Sequence, residues 1–348
     1  MKKWFFGGVG AGILALVGIC YFFGSDLESG TESIFANSTV TSTAEKATSE
    51  KPKEEPLVDY SQLAFDVLAQ KSFPSGEIKL GKVLSKEEKY TSYIFTYQSD
   101  GKTISGMVNL PKGGGKFPVI ILLRGYADKT YYHTGLGTER SANFLAENGF
   151  LTLAPDFLGY AYSDLEDEDI LKARFYRPVE VLSLLSAVSN LPSADSSRIG
   201  LWGHSNGAQV ALSVLEITGK NYPTSLWAPV SLDFPECLLT YLGEEEEVGN
   251  PVKEKVDLFL RSNDPKQFSI SPYFDKIKAS FLVHQGTVDE LIQMQWTEDL
   301  VKNLEKQGNE VNFYKYKGEN HNFNWYKTTG DTLRQRDLEF FRKNLLTD

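Results

Sequence analysis

Cysteine is nearly missing from this chain, with two residues in 348, one of them inside an N-terminal apolar run. Cys237 is left alone in the remainder, so no internal disulfide can form there, which suits an exported chain that does not rely on bridges. Histidine is scarce too, at four, and no Cys/His cluster has the spacing of a zinc site. Basic excess is also lacking. Asp and Glu outnumber Lys and Arg by 46 to 36, for a net charge of −10, whereas nucleic-acid binding needs a basic stripe. No glycine-rich phosphate loop stands out, and no repeat of roughly 40–50 residues, the length of a propeller blade, is visible. Neither a metal nor an organic cofactor is expected, and nucleic acid is not an expected partner.

What is present falls into three stretches. Residues 4–23 are uncharged and apolar, behind Lys2 and Lys3. A helix of that length, at about 1.5 Å per residue, spans roughly 30 Å, the thickness of a hydrocarbon core. With the lysines held inside, the expectation is a transmembrane signal-anchor over residues 1–24 and an extracytoplasmic remainder. The alternative is a cleaved signal peptide and a secreted product, although such apolar regions are usually shorter and no small-x-small cleavage site follows closely. Residues 25–57 are rich in Ser, Thr, Glu and Lys without periodic apolar positions. They bury too little surface to offset the entropy of ordering, so a disordered, flexible linker is expected.

Residues 58–348 are long enough for one large domain. Leu63, Val67 and Leu68 mark a short amphipathic helix. Alternating apolar positions predict antiparallel strands over 77–84, 90–99 and 102–110 at the leading edge of a sheet. Strand and helix patterns then alternate, with helices expected over 138–148, 175–190, 208–218, 294–307 and 331–346. The class is α/β, a mostly parallel central sheet with helices on both faces. Between 233 and 271 the alternation breaks down, and this segment is the candidate lid. Its acid run Glu244-Glu245-Glu246-Glu247, like the acidic stretch 164–169, reads as a solvated loop, because metal-binding carboxylates would need converging partners.

The chemistry sits at strand ends. Ser205 is central in Gly203-His204-Ser205-Asn206-Gly207, after the strand-like Arg198-Ile199-Gly200-Leu201-Trp202 and before a helix-like run. A strand turning sharply into a helix strains its apex residue, and Gly203 and Gly207 leave room for the close approach of this nucleophile elbow. The strand-like Phe281-Leu282-Val283-His284 runs on to Asp289, and Val311 to Tyr316 run on to His321. Serine, acid, histidine is the chain order of an α/β-hydrolase. The hydroxyl needs a neutral imidazole to take its proton, and a carboxylate fixes that imidazole's tautomer.

His321 is the expected base. His204, beside the nucleophile, is expected to turn its side chain away and serve structurally. His284 reads as a packed, hydrogen-bonded residue, and His133 comes too early for the base but could line a pocket. Asp289 is the expected acid, with Asp233 as runner-up and Glu290 a weaker neighbour. Asn206 should supply one oxyanion donor through its backbone N–H. Tyr126, in the loop Arg124-Gly125-Tyr126-Ala127-Asp128, is the candidate second donor, through backbone or phenol. Arg124, Arg174 and Arg177 are expected to pair with the acids of 164–169 and of the 244–247 run at the surface, with contact to an anionic substrate group as the alternative.

Residues 118–348 resemble the catalytic domain of the prolyl oligopeptidase family of serine peptidases. The likeness rests on the elbow, on Ser271-Pro272-Tyr273-Phe274-Asp275-Lys276-Ile277-Lys278 leading into the acid-bearing strand, and on Tyr316-Lys317-Gly318-Glu319-Asn320-His321-Asn322-Phe323. In that family a Gly-Tyr pair supplies a phenolic oxyanion donor, so the resemblance implies the phenol at Gly125-Tyr126. It also implies an α/β-hydrolase fold and a serine-type peptidase working through an acyl-enzyme. The family's β-propeller is not carried over, since nothing before residue 58 could form one, and its size filter and amine anchor go with it. A carboxylesterase acting on small esters is the alternative, and a non-catalytic surface binding module a second one.

Overall fold

A computed structural model describes residues 58–241, 246–324 and 327–346. The expected transmembrane run and linker lie outside the described residues, as do Glu244 and Glu245. Among the described residues, no helix is long and apolar enough to cross a membrane.

Nine strands form one sheet: β1 Lys79–Lys86, β2 Tyr90–Ser99, β3 Lys102–Pro111, β4 Phe117–Leu123, β5 Leu151–Pro155, β6 Ala194–His204, β7 Thr224–Trp227, β8 Phe281–Gly286 and β9 Val311–Tyr316. Their spatial order is β1-β2-β3-β5-β4-β6-β7-β8-β9. The leading strands pair antiparallel through β3 with β5, and every pairing from β5 to β9 is parallel. Composition explains the division. β4, Phe-Pro-Val-Ile-Ile-Leu-Leu, is buried over all but its first residue, as a parallel strand covered on both faces must be. β1 is exposed along nearly its whole length and forms a bulged, lysine-bearing outer edge, features that discourage pairing with another chain.

The helices are α1 Phe65–Leu68, α2 Glu139–Glu147, α3 Ile170–Val188, α4 Asn206–Thr218, α5 Glu236–Leu239, α6 Glu246–Leu260, α7 Met294–Lys306 and α8 Lys327–Leu345. Helix α2 packs on α8, and α3 packs on α4, which lies against β4 and β6 behind the elbow. Helix α7 shows the amphipathic logic plainly: Thr297, Leu300, Val301 and Leu304 are buried, the i, i+3, i+4, i+7 stripe of a helix on a sheet.

Three local differences from the sequence reading have physical causes. Strand β5 was not delimited by it, being short and bounded by Gly149 and Pro155. Helix α3 begins at Ile170 because Asp169 caps it, its carboxylate accepting from the Leu171 and Lys172 N–H groups at 3.0 Å each. The acidic stretch 164–169 is therefore a clasp and not a free loop. Asp164 accepts from Thr103 N at 2.6 Å, and Glu166 holds Lys129 and, at 2.6 Å, Arg177. The candidate lid carries α5 and α6 and is pinned by an aromatic cluster. Phe234, Phe259 and Phe268 ring Phe175 of α3 at 5.0, 5.6 and 4.5 Å between centroids.

Candidate active site

The strand-to-helix turn between β6 and α4 puts Ser205 at φ 55°, ψ −120°, a region costing a non-glycine residue about 1–3 kcal/mol. Surrounding structure imposes that conformation. Ser205 N donates to Trp227 O at 2.9 Å, and Val230 N donates to Ser205 O at 3.2 Å. The flanking glycines allow the approach: a Cβ on Gly207 would sit 2.0 Å from the Leu123 carbonyl oxygen, and one on Gly203 2.7 Å from Ala208 Cα. Ser205 thus stands where β4 and β6 end side by side, at the carboxyl edge of an open sheet.

Asp289 and His321 come together from the loops after β8 and β9. The His321 Nδ1 lies 3.0 and 3.1 Å from the two Asp289 carboxylate oxygens. Asp289 Oδ1 also accepts from Leu291 N at 2.9 Å and Ile292 N at 2.8 Å, and Oδ2 from Gln285 Nε2 at 2.8 Å. Burial pushes this carboxyl up, but the His321 ring and the backbone donors outweigh it and hold it below the usual range. Gln285 is aimed by Thr297, whose hydroxyl donates to its Oε1 at 2.9 Å. A Cβ on Gly286 would meet Glu319 O at 2.3 Å, so the two loops are in close backbone contact. Among the described residues the Ser205 hydroxyl makes no hydrogen bond, to His321 or to any other group.

The other sequence candidates take different places. Asp233 does not reach the histidine: it accepts from Ser271 N at 2.9 Å and from the Ser271 hydroxyl, closing the base of the lid segment. Glu290 accepts from His321 N at 3.3 Å, supporting the loop's backbone. His133 is exposed. His284 is fully buried between Tyr316 OH, 2.7 Å from Nδ1, and Asp337 Oδ1, 3.3 Å from Nε2. His204 corrects the expectation that its ring turns away. That ring packs on His321 at 4.9 Å between centroids, and its Nε2 lies 3.1 Å from the His321 carbonyl. Donation to that carbonyl fixes the Nε2–H tautomer, and burial, followed by the neighbouring His321, lowers its pKa to about 4. His204 is thus a neutral wall beside the candidate base.

Two of the three arginines differ from their expected surface roles. Arg177 does pair with Glu166, at 2.6 Å. Arg174 binds the Gln209 side chain and, at 3.2 Å, Cys237 Sγ. Arg124 is 5% exposed, and no motif in the sequence marks it as interior. Beneath the strand ends, Asp337 of α8 accepts from Ser225 Oγ at 2.5 Å and from the indole N–H groups of Trp202 and Trp227 at 3.1 Å each. This buried tie also escaped the sequence reading, because its members are scattered over three elements.

Around the candidate nucleophile, α4 begins at Asn206, whose N–H at the first helical position has no intrahelical partner. Tyr126 follows Gly125, and a Cβ on Gly125 would lie 2.9 Å from Ser205 Cβ. Among the described residues, no group of three or more His, Cys, Asp or Glu is arranged to hold a metal ion.

Comparison with solved structures agrees with this architecture. Acetyl xylan esterase 1 from Thermoanaerobacterium sp. JW/SL YS485 superimposes with a TM-score of 0.59 at 17% identity, over 80% of this chain and 94% of that one. Dipeptidyl peptidase 4 of Porphyromonas gingivalis gives 0.53 at 18%, over 79% of this chain and 36% of its own. A puromycin-hydrolyzing peptidase of Mycobacterium tuberculosis gives 0.56 at 15%, over 76% and 41%. These likenesses show an α/β-hydrolase fold. No curated protein matches the chain in sequence. The model of the prolyl oligopeptidase family matches residues 137–347. That span takes in the elbow, the acid turn and the histidine loop, and the chain belongs to the prolyl oligopeptidase family.

Proposed function

We propose that this protein is a serine hydrolase that cleaves peptide bonds through an acyl-enzyme. One observation supports the reading: the ring of His204, next to a serine held in a strained elbow, packs on a carboxylate-bound imidazole, Asp289–His321. Ser205 Oγ attacks the substrate carbonyl carbon while its proton passes to His321 Nε2. Asp289 keeps the proton on Nδ1 and steadies the imidazolium. The carbonyl oxygen becomes an oxyanion, met by donors from Asn206 and Tyr126. His321 then returns the proton to the leaving amine, the C–N bond breaks, and water repeats the sequence on the acyl-serine. The bond between the hydroxyl and His321 forms in the substrate complex, where catalytic hydrogen bonds commonly tighten.

The family supports peptide substrates. A second reading, a carboxylesterase for small esters, is supported by length: the acetyl xylan esterase is spanned over 94% of its chain and the dipeptidyl peptidase over 36% of its own. The apolar run 4–23 behind Lys2 and Lys3 supports a membrane-anchored enzyme with its hydrolase domain extracytoplasmic.

The test uses p-nitrophenyl acetate and an aminoacyl p-nitroanilide, with a fluorophosphonate probe. The expected result is anilide turnover with probe labelling, both abolished by Ser205→Ala. Turnover of the ester alone replaces the peptidase reading by the esterase one. Absence of any labelling of the intact protein removes the hydrolase reading and leaves a binding module.

A further inference from the structure

We propose that Arg124 presets the oxyanion hole, fixing the Gly125–Tyr126 peptide so that the Tyr126 backbone N–H, and not its phenol, meets the oxyanion. This inference rests on the serine-hydrolase reading and assigns an atom and a positioning residue that the reading leaves open.

Arg124 lies at the end of β4 with its guanidinium turned inward. Its Nη1 donates to the Gly125 carbonyl at 2.9 Å and its Nη2 to the Asp156 carbonyl at 2.7 Å. Aromatic faces hold the plane: the guanidinium carbon stands 3.9 Å from the Tyr160 ring centroid and 4.5 Å from that of Tyr132. Those rings are themselves fixed. Tyr132 OH donates to the buried Asp156 Oδ1 at 2.7 Å, and Tyr160 OH to Ala127 O at 2.9 Å. A cation stacked between rings and bonded to two carbonyls has little freedom to move.

In a trans peptide the carbonyl and the following N–H point in opposite directions. With the Gly125 carbonyl drawn into the Arg124 cage, the Tyr126 N–H projects to the other side of the same plane. That plane abuts the nucleophile, since a Cβ on Gly125 would lie 2.9 Å from Ser205 Cβ and 3.2 Å from His204 O. Among the described residues, the Tyr126 N–H donates to no acceptor. Together with the Asn206 N–H, it gives two unpaired donors flanking Ser205, as an oxyanion requires. The phenol fits less well. Its ring is 44% exposed and its hydroxyl bonds to no described residue. The phenol is pushed up to about 12 first by partial burial and then by Tyr160 and Asp128, groups of the loop side and not of the triad.

The test compares Arg124→Met, Arg124→Lys and Tyr126→Phe on the substrate the wild type turns over. It also measures inhibition by an aryl trifluoromethyl ketone, whose serine adduct carries the oxyanion. A donor displaced by about 1 Å costs on the order of 100-fold. Arg124→Met is expected to lower kcat by about 100-fold with KM changed less than about threefold, the signature of a contact made only in the transition state. Ketone affinity should fall in parallel, and Arg124→Lys should lie between. Tyr126→Phe should lose at least about tenfold less than Arg124→Met. A loss in Tyr126→Phe that equals or exceeds that of the arginine variants overturns the proposal, as does undiminished ketone binding in Arg124→Lys. If Arg124→Met does not fold, the Lys and Phe pair decides alone. Failure of the underlying reading looks different: wild type inert to the ketone, or Ser205→Ala still active.

Discussion

Replacing Asp289 by Asn changes one atom's chemistry, and the surroundings dictate how the amide must sit. Oδ1 accepts two backbone N–H groups, from Leu291 and Ile292, at 2.9 and 2.8 Å. The amide oxygen favours that position, because an NH2 there would face two backbone donors, whereas at Oδ2 it faces the single Gln285 amide. The NH2 then occupies the Oδ2 position and points at His321 Nδ1, where the carboxylate oxygen lay at 3.0 Å. A donor facing Nδ1 selects the tautomer with hydrogen on Nε2, leaving no lone pair to take the serine proton. The structure changes little, but the base is lost. A wrong-tautomer imidazole in a serine triad costs about 10⁴ in kcat, or roughly 5.4 kcal/mol of barrier at 1.36 per decade. The assay is kcat/KM for p-nitrophenyl acetate, with a thermal melt to show that the fold persists. Activity within about tenfold of wild type would falsify the tautomer argument.

Other consequences can be measured directly. Glu216 on α4 is 4% exposed and neither carboxylate oxygen has a partner; burial, then Asp233 and Asp275, holds its pKa well above the usual range. The folded chain keeps this proton at pH values where the unfolded chain releases it, so rising pH favours unfolding. Glu216→Met should therefore stabilise by about 1–3 kcal/mol, more at pH 8 than at pH 5, and equal urea midpoints at pH 8 would count against it. For His204 the sign is opposite. The unfolded imidazole binds a proton near pH 6.5 and the folded one only near 4, so stability should fall as pH drops across that interval and be unaffected by this group above it. His204→Gln should flatten that part of the melting-temperature profile, and an unchanged slope would refute the assignment. Gly207→Ala should yield little folded protein, because its Cβ would stand 2.0 Å from the Leu123 carbonyl oxygen. A soluble variant with wild-type melting would show that the elbow can relax.

Local patterns were legible where one residue type has one use. The all-apolar β4, the Gly-x-Ser-x-Gly turn and the order of Ser205, Asp289 and His321 could be read because spacing along the chain maps directly onto strand ends. What could not be read depends on approaches in space. Nothing in Arg-Gly-Tyr says that the arginine folds inward, since its cage is built by Tyr132 and Tyr160 from further along the chain. The orientation of His204 follows from the loop that brings His321 against it. Asp233 and Asp289 both follow strands, and only the packing of the lid segment, which gives Asp233 to Ser271, separates them. The start of α3 depended on recognising Asp169 as a cap within a run of acids.

The Asp337 tie has a temporal meaning. Ribosomes make Ser205, Asp289 and His321 before the carboxylate that gathers Trp202, Ser225, Trp227 and His284. On the proposed reading, an elongating polypeptide thus holds the serine, the acid and the histidine before the carboxylate that fastens the ends of β6, β7 and β8 exists.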